Sequence, residues 1–77
     1  MLTSEAKLER SELVLQVPHG EKLAVRVYDM KGVLVYHRVV ERNNVLPVTT
    51  FVASGMYMIE VTEGRHTILN REMIIAR

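Results

Sequence analysis

A chain of 77 residues with ten basic and nine acidic side chains, a net charge of +1 and no cysteine has room for one domain and one core. At 48% hydrophobic residues it is too apolar for a disordered tail, and its near-neutral balance argues against nucleic acid or an anionic membrane surface as the main partner. No apolar run approaches the ~20 residues that span a bilayer, and Glu5, Lys7, Glu9 and Arg10 interrupt any secretory-signal pattern at the N-terminus.

Residues 1–11 are polar and mixed in charge and read as a flexible linker or cloning remnant ahead of a domain at 12–77. From 12 to 17, Leu13, Leu15 and Val17 alternate with Glu12, Val14 and Gln16, which predicts a half-buried strand ended by Pro18-His19-Gly20. Residues 22–30 form the clearest strand, with Leu23, Val25 and Val27 on one face and Lys22, Ala24, Arg26 and Tyr28 on the other. Asp29-Met30-Lys31-Gly32 reads as a hairpin turn, and 33–41 returns with Val33, Val35, His37 and Val39 on one face. After the turn at Arg42-Asn43-Asn44, residues 45–50 predict a short strand whose Pro47 belongs at a sheet edge. Gly55 opens a strand in which Tyr57, Ile59 and Val61 alternate with Met56, Met58, Glu60 and Thr62. The chain turns at Glu63-Gly64-Arg65, and 66–75 predicts the last strand. Six or seven short strands joined by regularly spaced turns predict an all-β fold, a small antiparallel β-sandwich or, as the other closure, a small barrel.

The polar residues carry no catalytic pattern. His19, His37 and His66 lack the paired spacing of zinc ligands, and Ser4, Ser11 and Ser54 sit in no Gly-x-Ser-x-Gly elbow. Asp29 reads as a turn-capping carboxylate, and four scattered glycines make no phosphate-cradling loop. No cofactor is implied. Tyr28, Tyr36 and Tyr57 suit amphipathic packing better than a base-stacking platform. Met30, Met56 and Met58 fall on outward positions or in a turn, where methionines make an adaptable contact patch. The final strand, ending at Arg77 with almost no tail, either completes the sheet or offers its edge to a partner, and an open edge also permits a strand-exchanged homodimer.

The stretch Val25-Arg26-Val27-Tyr28-Asp29-Met30-Lys31-Gly32-Val33-Leu34-Val35 resembles the hairpin motif V-x-(I/V)-Y-D-x-x-G-x-x-V of the C-terminal sorting domains of the bacterial type IX (Por) secretion system. Gly55, Tyr57 and Val61 resemble that family's Gly-x-Tyr-x-x-x-Val block, and Gly64, Arg71, Met73, Ile74, Ile75 and Arg77 its closing strand. The resemblance implies an immunoglobulin-like β-sandwich at the end of a larger exported protein of a Bacteroidetes-type bacterium. It implies delivery to the periplasm by Sec, recognition by the type IX translocon, and passage to the cell surface or outer membrane. In many members a sortase-like enzyme then removes the domain and links the cargo to anionic lipopolysaccharide. Partners would thus be the translocon and the sortase-like surface machinery, with no direct membrane insertion and no catalysis by the domain itself. On this likeness Tyr28, Asp29 and Gly32 belong to the hairpin, Gly55 to the bend into the Tyr57 strand, and Gly64 to the last turn. Arg71, Ile74, Ile75 and Arg77 would form or border a partner-facing terminal strand.

The chain departs from the family pattern at Ser11-Glu12-Leu13, where an Asn-Pro pair often precedes the first strand, and at Thr50-Phe51-Val52, which replaces a leucine-centred loop. A competing reading is an immunoglobulin- or fibronectin-like accessory module for surface adhesion or domain spacing. Such a spacer should tolerate extra sequence after Arg77, whereas a terminal address should be harmed by it.

Overall fold

Seven antiparallel strands build two sheets in the computed structural model, which describes residues 3–76. The strands are β1 (Glu5–Glu9), β2 (Glu12–Gln16), β3 (Leu23–Asp29), β4 (Leu34–Val40), β5 (Asn44–Pro47), β6 (Gly55–Glu63) and β7 (His66–Ile75). One sheet has the order β1-β2-β5 and the other β4-β3-β6-β7. The two sheets remain separate, so the fold is a small β-sandwich rather than a barrel.

Period-2 alternation turns one face of each sheet inward. Leu13 and Leu15 from β2, Leu23, Val25 and Val27 from β3, Tyr57, Ile59 and Val61 from β6, and Met73 and Ile75 from β7 meet in one core. Val17, Val40, Leu46, Val48 and Val52 close it from the strand ends and connections. No polar or charged side chain is buried among the described residues. Burying each Val, Leu or Ile side chain contributes about 1.5–3 kcal/mol. With no cysteine to cross-link the chain, this apolar layer carries the stability of the domain.

Three local expectations are corrected. The segment 1–11, read as a linker, contains β1, which pairs with β2 from Glu5↔Gln16 to Glu9↔Glu12. Its alternation is hidden by three charged outward positions, Glu5, Lys7 and Glu9, while Ala6 and Leu8 pack against the core. The strand expected over 45–50 stops at Pro47, and Val48–Thr50 form a 3-10 turn closed by the Phe51 N–H on the Val48 carbonyl at 3.0 Å. β5 pairs with β2 alone, so Pro47 lies on an edge, where its missing N–H interrupts no ladder. In β4, a register shift pairs Val27 with Tyr36 but Tyr28 with Leu34, leaving Val35 as an extra residue. Leu34 therefore stands beside Tyr28 on the outer face, and the simple Val33/Val35/His37/Val39 alternation is broken. The face carrying His37 and Val39 is the outer one, because its neighbours Arg38 and Val40 pair with the buried Val25 and Leu23.

Tyr36 and Phe51 stack with ring centroids 4.5 Å apart and planes 4° from parallel. Both pack against the core, and the stack holds the β5–β6 connection to β4.

Candidate functional site: the hairpin end of the four-stranded sheet

The β3–β4 hairpin is closed by its own first residue. The Asp29 N–H donates to the Val33 carbonyl (2.9 Å), and the Gly32 N–H donates to the Asp29 carbonyl (3.0 Å). Asp29 Oδ1 accepts two further bonds, from the Lys31 N–H at 2.9 Å and the Val33 N–H at 3.0 Å. A carboxylate one methylene from the backbone reaches these amides without strain, which is why Asp suits the first position of a turn. Gly32 sits at φ +83°, a left-handed conformation that favours a residue without Cβ. Asp29→Ala is expected to destabilise the domain by about 1–2 kcal/mol, with Asp29→Asn keeping most of the loss at bay. A lower urea midpoint at unchanged slope checks this.

A second device begins β6. The Tyr57 ring folds back over the strand start, and its hydroxyl donates to the Ala53 carbonyl at 2.8 Å. A Cβ at Gly55 would meet the Tyr57 ring at 3.4 Å, an ordinary van der Waals contact, so the ring lies directly against the strand start. A tyrosine hydroxyl tied to backbone a few residues upstream is the same solution found at the tyrosine corner of immunoglobulin-like sandwiches.

Register brings these pieces to one end of the sheet. Asp29 pairs with Tyr57 and Tyr28 with Met58 across β3–β6; Gly55 pairs with Ile75, Met56 with Ile74 and Tyr57 with Met73 across β6–β7. Tyr28, Asp29, Gly32, Gly55, Tyr57, Ile74 and Ile75 thus share the hairpin end. Gly64 lies in the β6–β7 turn at the opposite end of β6, roughly 25 Å away at about 3.3 Å per residue. There Ser4 Oγ donates to the Glu63 carboxylate, at the edge of a depression lined by Thr3, Ser4, Glu21, His66 and Thr67. Arg71 is midway along β7, opposite Ile59. Arg77 lies outside the described residues.

Ile75, one of the residues expected to form or border a partner-facing strand, is a core residue, 1% exposed and turned inward beside Met73. Its neighbour Ile74 takes the opposite face and is 71% exposed. Around it the exposed surface is apolar. Six of the eight exposed large apolar side chains among the described residues, namely Met30, Val33, Leu34, Val35, Met56 and Ile74, lie at this end. Sequence reasoning found the methionines but missed Leu34 and Val35, because the extra residue in β4 is not written in the alternation.

Away from this end the outer face is polar apart from Val39. Arg26 donates to Thr62 Oγ1 at 3.1 Å and lies 3.7 Å from the Glu60 carboxylate, with His37 opposite it on β4. No group of three or more His, Asp or Glu side chains suited to hold a metal occurs among the described residues.

Residues 9–76, nearly the whole chain, match the family model described as the secretion system C-terminal sorting domain. The chain belongs to that family. Neither the curated proteins nor the solved structures contain a significant match. The sorting domain is a signal for type IX secretion, directing export toward the cell surface or outer-membrane region. Domains of this family act as secretion signals and not as catalysts, and membership implies that the sorting domain meets the secretion machinery.

Proposed function

We propose that the type IX machinery reads this sorting domain at the hairpin end of the four-stranded sheet, through the exposed apolar strip of Met30, Val33, Leu34, Val35, Met56 and Ile74. The observation that carries the reading is that the residues resembling the family's motifs, Tyr28, Asp29, Gly32, Gly55 and Tyr57, build the scaffold under that strip. Six such side chains at these exposures offer roughly 400–500 Å² of apolar surface, within the range of functional patches on monomers. A stable interface needs about 800 Å² per partner. The strip therefore suits brief engagement, as a signal handed from periplasmic transit to the translocon and then to sortase-like surface machinery requires. Met30 and Met56 add side chains that repack against more than one such surface.

The test fuses residues 1–77 to the C-terminus of a Sec-targeted fluorescent reporter, expressed in a type IX-competent bacterium and its translocon-null sibling. Surface or medium signal is expected only in the competent strain, and the reporter's mass then shows whether the domain is removed. The Met56→Thr/Ile74→Thr pair should melt within a few degrees of the parent, since surface changes usually stay within about ±0.5 kcal/mol each. Its export should fall by at least about tenfold, the factor that about 1.4 kcal/mol of lost binding represents. Normal export of this pair would rule out the strip. Retention of the folded parent fusion in both strains would count against the sorting role itself and favour the adhesion or spacer module.

A further inference from the structure

Accessibility divides the methionines of this chain into two pairs. No cysteine is present, so thioethers are the only sulfur that an oxidant can attack. Met1 lies outside the described residues. Of the other four, Met73 is 8% exposed in the core, and Met58 is half-buried between Tyr28 on β3 and Glu72 on β7. Met30 and Met56 are 62% and 40% exposed. These two also share one place. The β3–β6 ladder ends with Asp29 opposite Tyr57, so Met30, which follows Asp29, and Met56, which precedes Tyr57, leave the same end of that ladder. Met56 in turn pairs with the exposed Ile74 across β6–β7. The two accessible sulfurs thus fall inside the apolar strip and the two sheltered ones outside it.

Taking the strip as docking surface, we infer that Met30 and Met56 form a reversible oxidation site that shuts it, so that the sorting signal is read only in its reduced form. The oxidant is a hydroperoxide, of which hydrogen peroxide is the simplest. A thioether lone pair attacks one peroxide oxygen, and the S–O bond forms as the O–O bond breaks. Sulfur is oxidised by two electrons and the peroxide is reduced. The departing hydroxide takes the proton of the transferred hydroxyl and leaves as water. The product, methionine sulfoxide, carries a polar oxygen where the strip offered an apolar side chain. A partner with an apolar contact surface would have to take water from that oxygen without returning a hydrogen bond. Neither methionine belongs to the core, so the sandwich keeps its packing while its address is altered. Surface changes of this kind leave stability nearly untouched, which separates lost recognition from lost structure. Sulfoxide reductases, one for each epimer at sulfur, restore the thioether.

Peptide mass spectrometry of the full chain treated with hydrogen peroxide gives the first reading. One added oxygen each is expected at Met30 and Met56 before Met58, with Met73 unmodified and the circular dichroism melt within a few degrees of the untreated chain. The second reading uses the Sec-targeted reporter fusion in the type IX-competent strain. Met30→Gln/Met56→Gln, which sets a polar amide where the sulfoxide would stand, should export at least about fivefold less than the parent while melting close to it. Met30→Leu/Met56→Leu keeps volume and apolarity but removes the sulfur. It should export normally, and continue to do so after a peroxide pulse that arrests the parent fusion in sibling cells. Oxidation of Met58 or Met73 ahead of the exposed pair, normal export of the glutamine variant, lost export of the leucine variant, or equal peroxide losses in the parent and leucine fusions would each overturn the inference. Failure of the strip itself has a different signature, since Met56→Thr/Ile74→Thr would then export normally. Normal export of the glutamine variant beside lost export of that threonine pair removes the oxidation site alone.

Discussion

Ile59→Ala is expected to lower the melting temperature by about 12–24 °C, corresponding to about 3 kcal/mol in a domain of this length. Ile59 is fully buried at the middle of β6, with Val27 beside it on β3 and Arg71 on β7. Truncation would leave a cavity that β6 cannot close, because its two neighbouring ladders hold it in place. The domain as a whole has roughly 4–12 kcal/mol available, and no disulfide restricts its unfolded state. One core methylene cluster is therefore a large share of the total. A thermal melt followed by circular dichroism measures the shift, with the half-exposed Val45→Ala as a control expected to move by less than a few degrees. A shift below about 5 °C for Ile59→Ala would show that the inter-sheet layer repacks freely, contrary to the close packing of protein interiors.

Deleting residues 72–77 is expected to abolish both cooperative unfolding and export. The deletion takes Met73 and Ile75 out of the core and removes the partners of Gly55, Met56, Tyr57 and Met58. It converts half of β6 from a central strand into an exposed edge and uncovers the ring of Tyr57. Lost export from this truncation reports lost structure, whereas lost export from Met56→Thr/Ile74→Thr reports lost recognition. The two deletions of function separate in a melting experiment. A truncated chain that still melts cooperatively near the parent temperature would mean that the five described residues removed, 72–76, contribute little to the fold.

Much of the sandwich is legible in the sequence where alternation is clean and both faces have distinct chemistry. β3 shows this in Leu23, Val25 and Val27 against Ala24, Arg26 and Tyr28, and β6 in Tyr57, Ile59 and Val61 against the methionines and Glu60. β1 escapes such reading because an edge strand over the rim of the core needs only two small apolar contacts, Ala6 and Leu8, among charges. The β4 faces escape it because the extra residue at Val35 inverts the alternation part-way along the strand. Turn chemistry at Asp29 and Gly32 is local, so it is written in adjacent residues. The convergence of that turn with Gly55, Tyr57 and Ile74 is not, since it depends on the β3–β6–β7 registers. Equally, nothing local distinguishes Ile74 from Ile75; only the register with Met56 and Gly55 decides which one faces water.

The apolar strip draws Met30 and Val33 from the hairpin, Leu34 and Val35 from β4, Met56 from β6 and Ile74 from β7. The hairpin residues join Met56 and Ile74, about twenty and about forty positions further along the chain, only when all four strands of the larger sheet are in register. No linear stretch of the sequence reproduces the whole strip, and a chain arrested before β6 docks has only its hairpin part, without Met56 and Ile74. A machine that recognises this surface consequently checks for completed folding with the same contact that it uses to choose cargo, and chains with an unfinished or misregistered sandwich are refused without any separate inspection step.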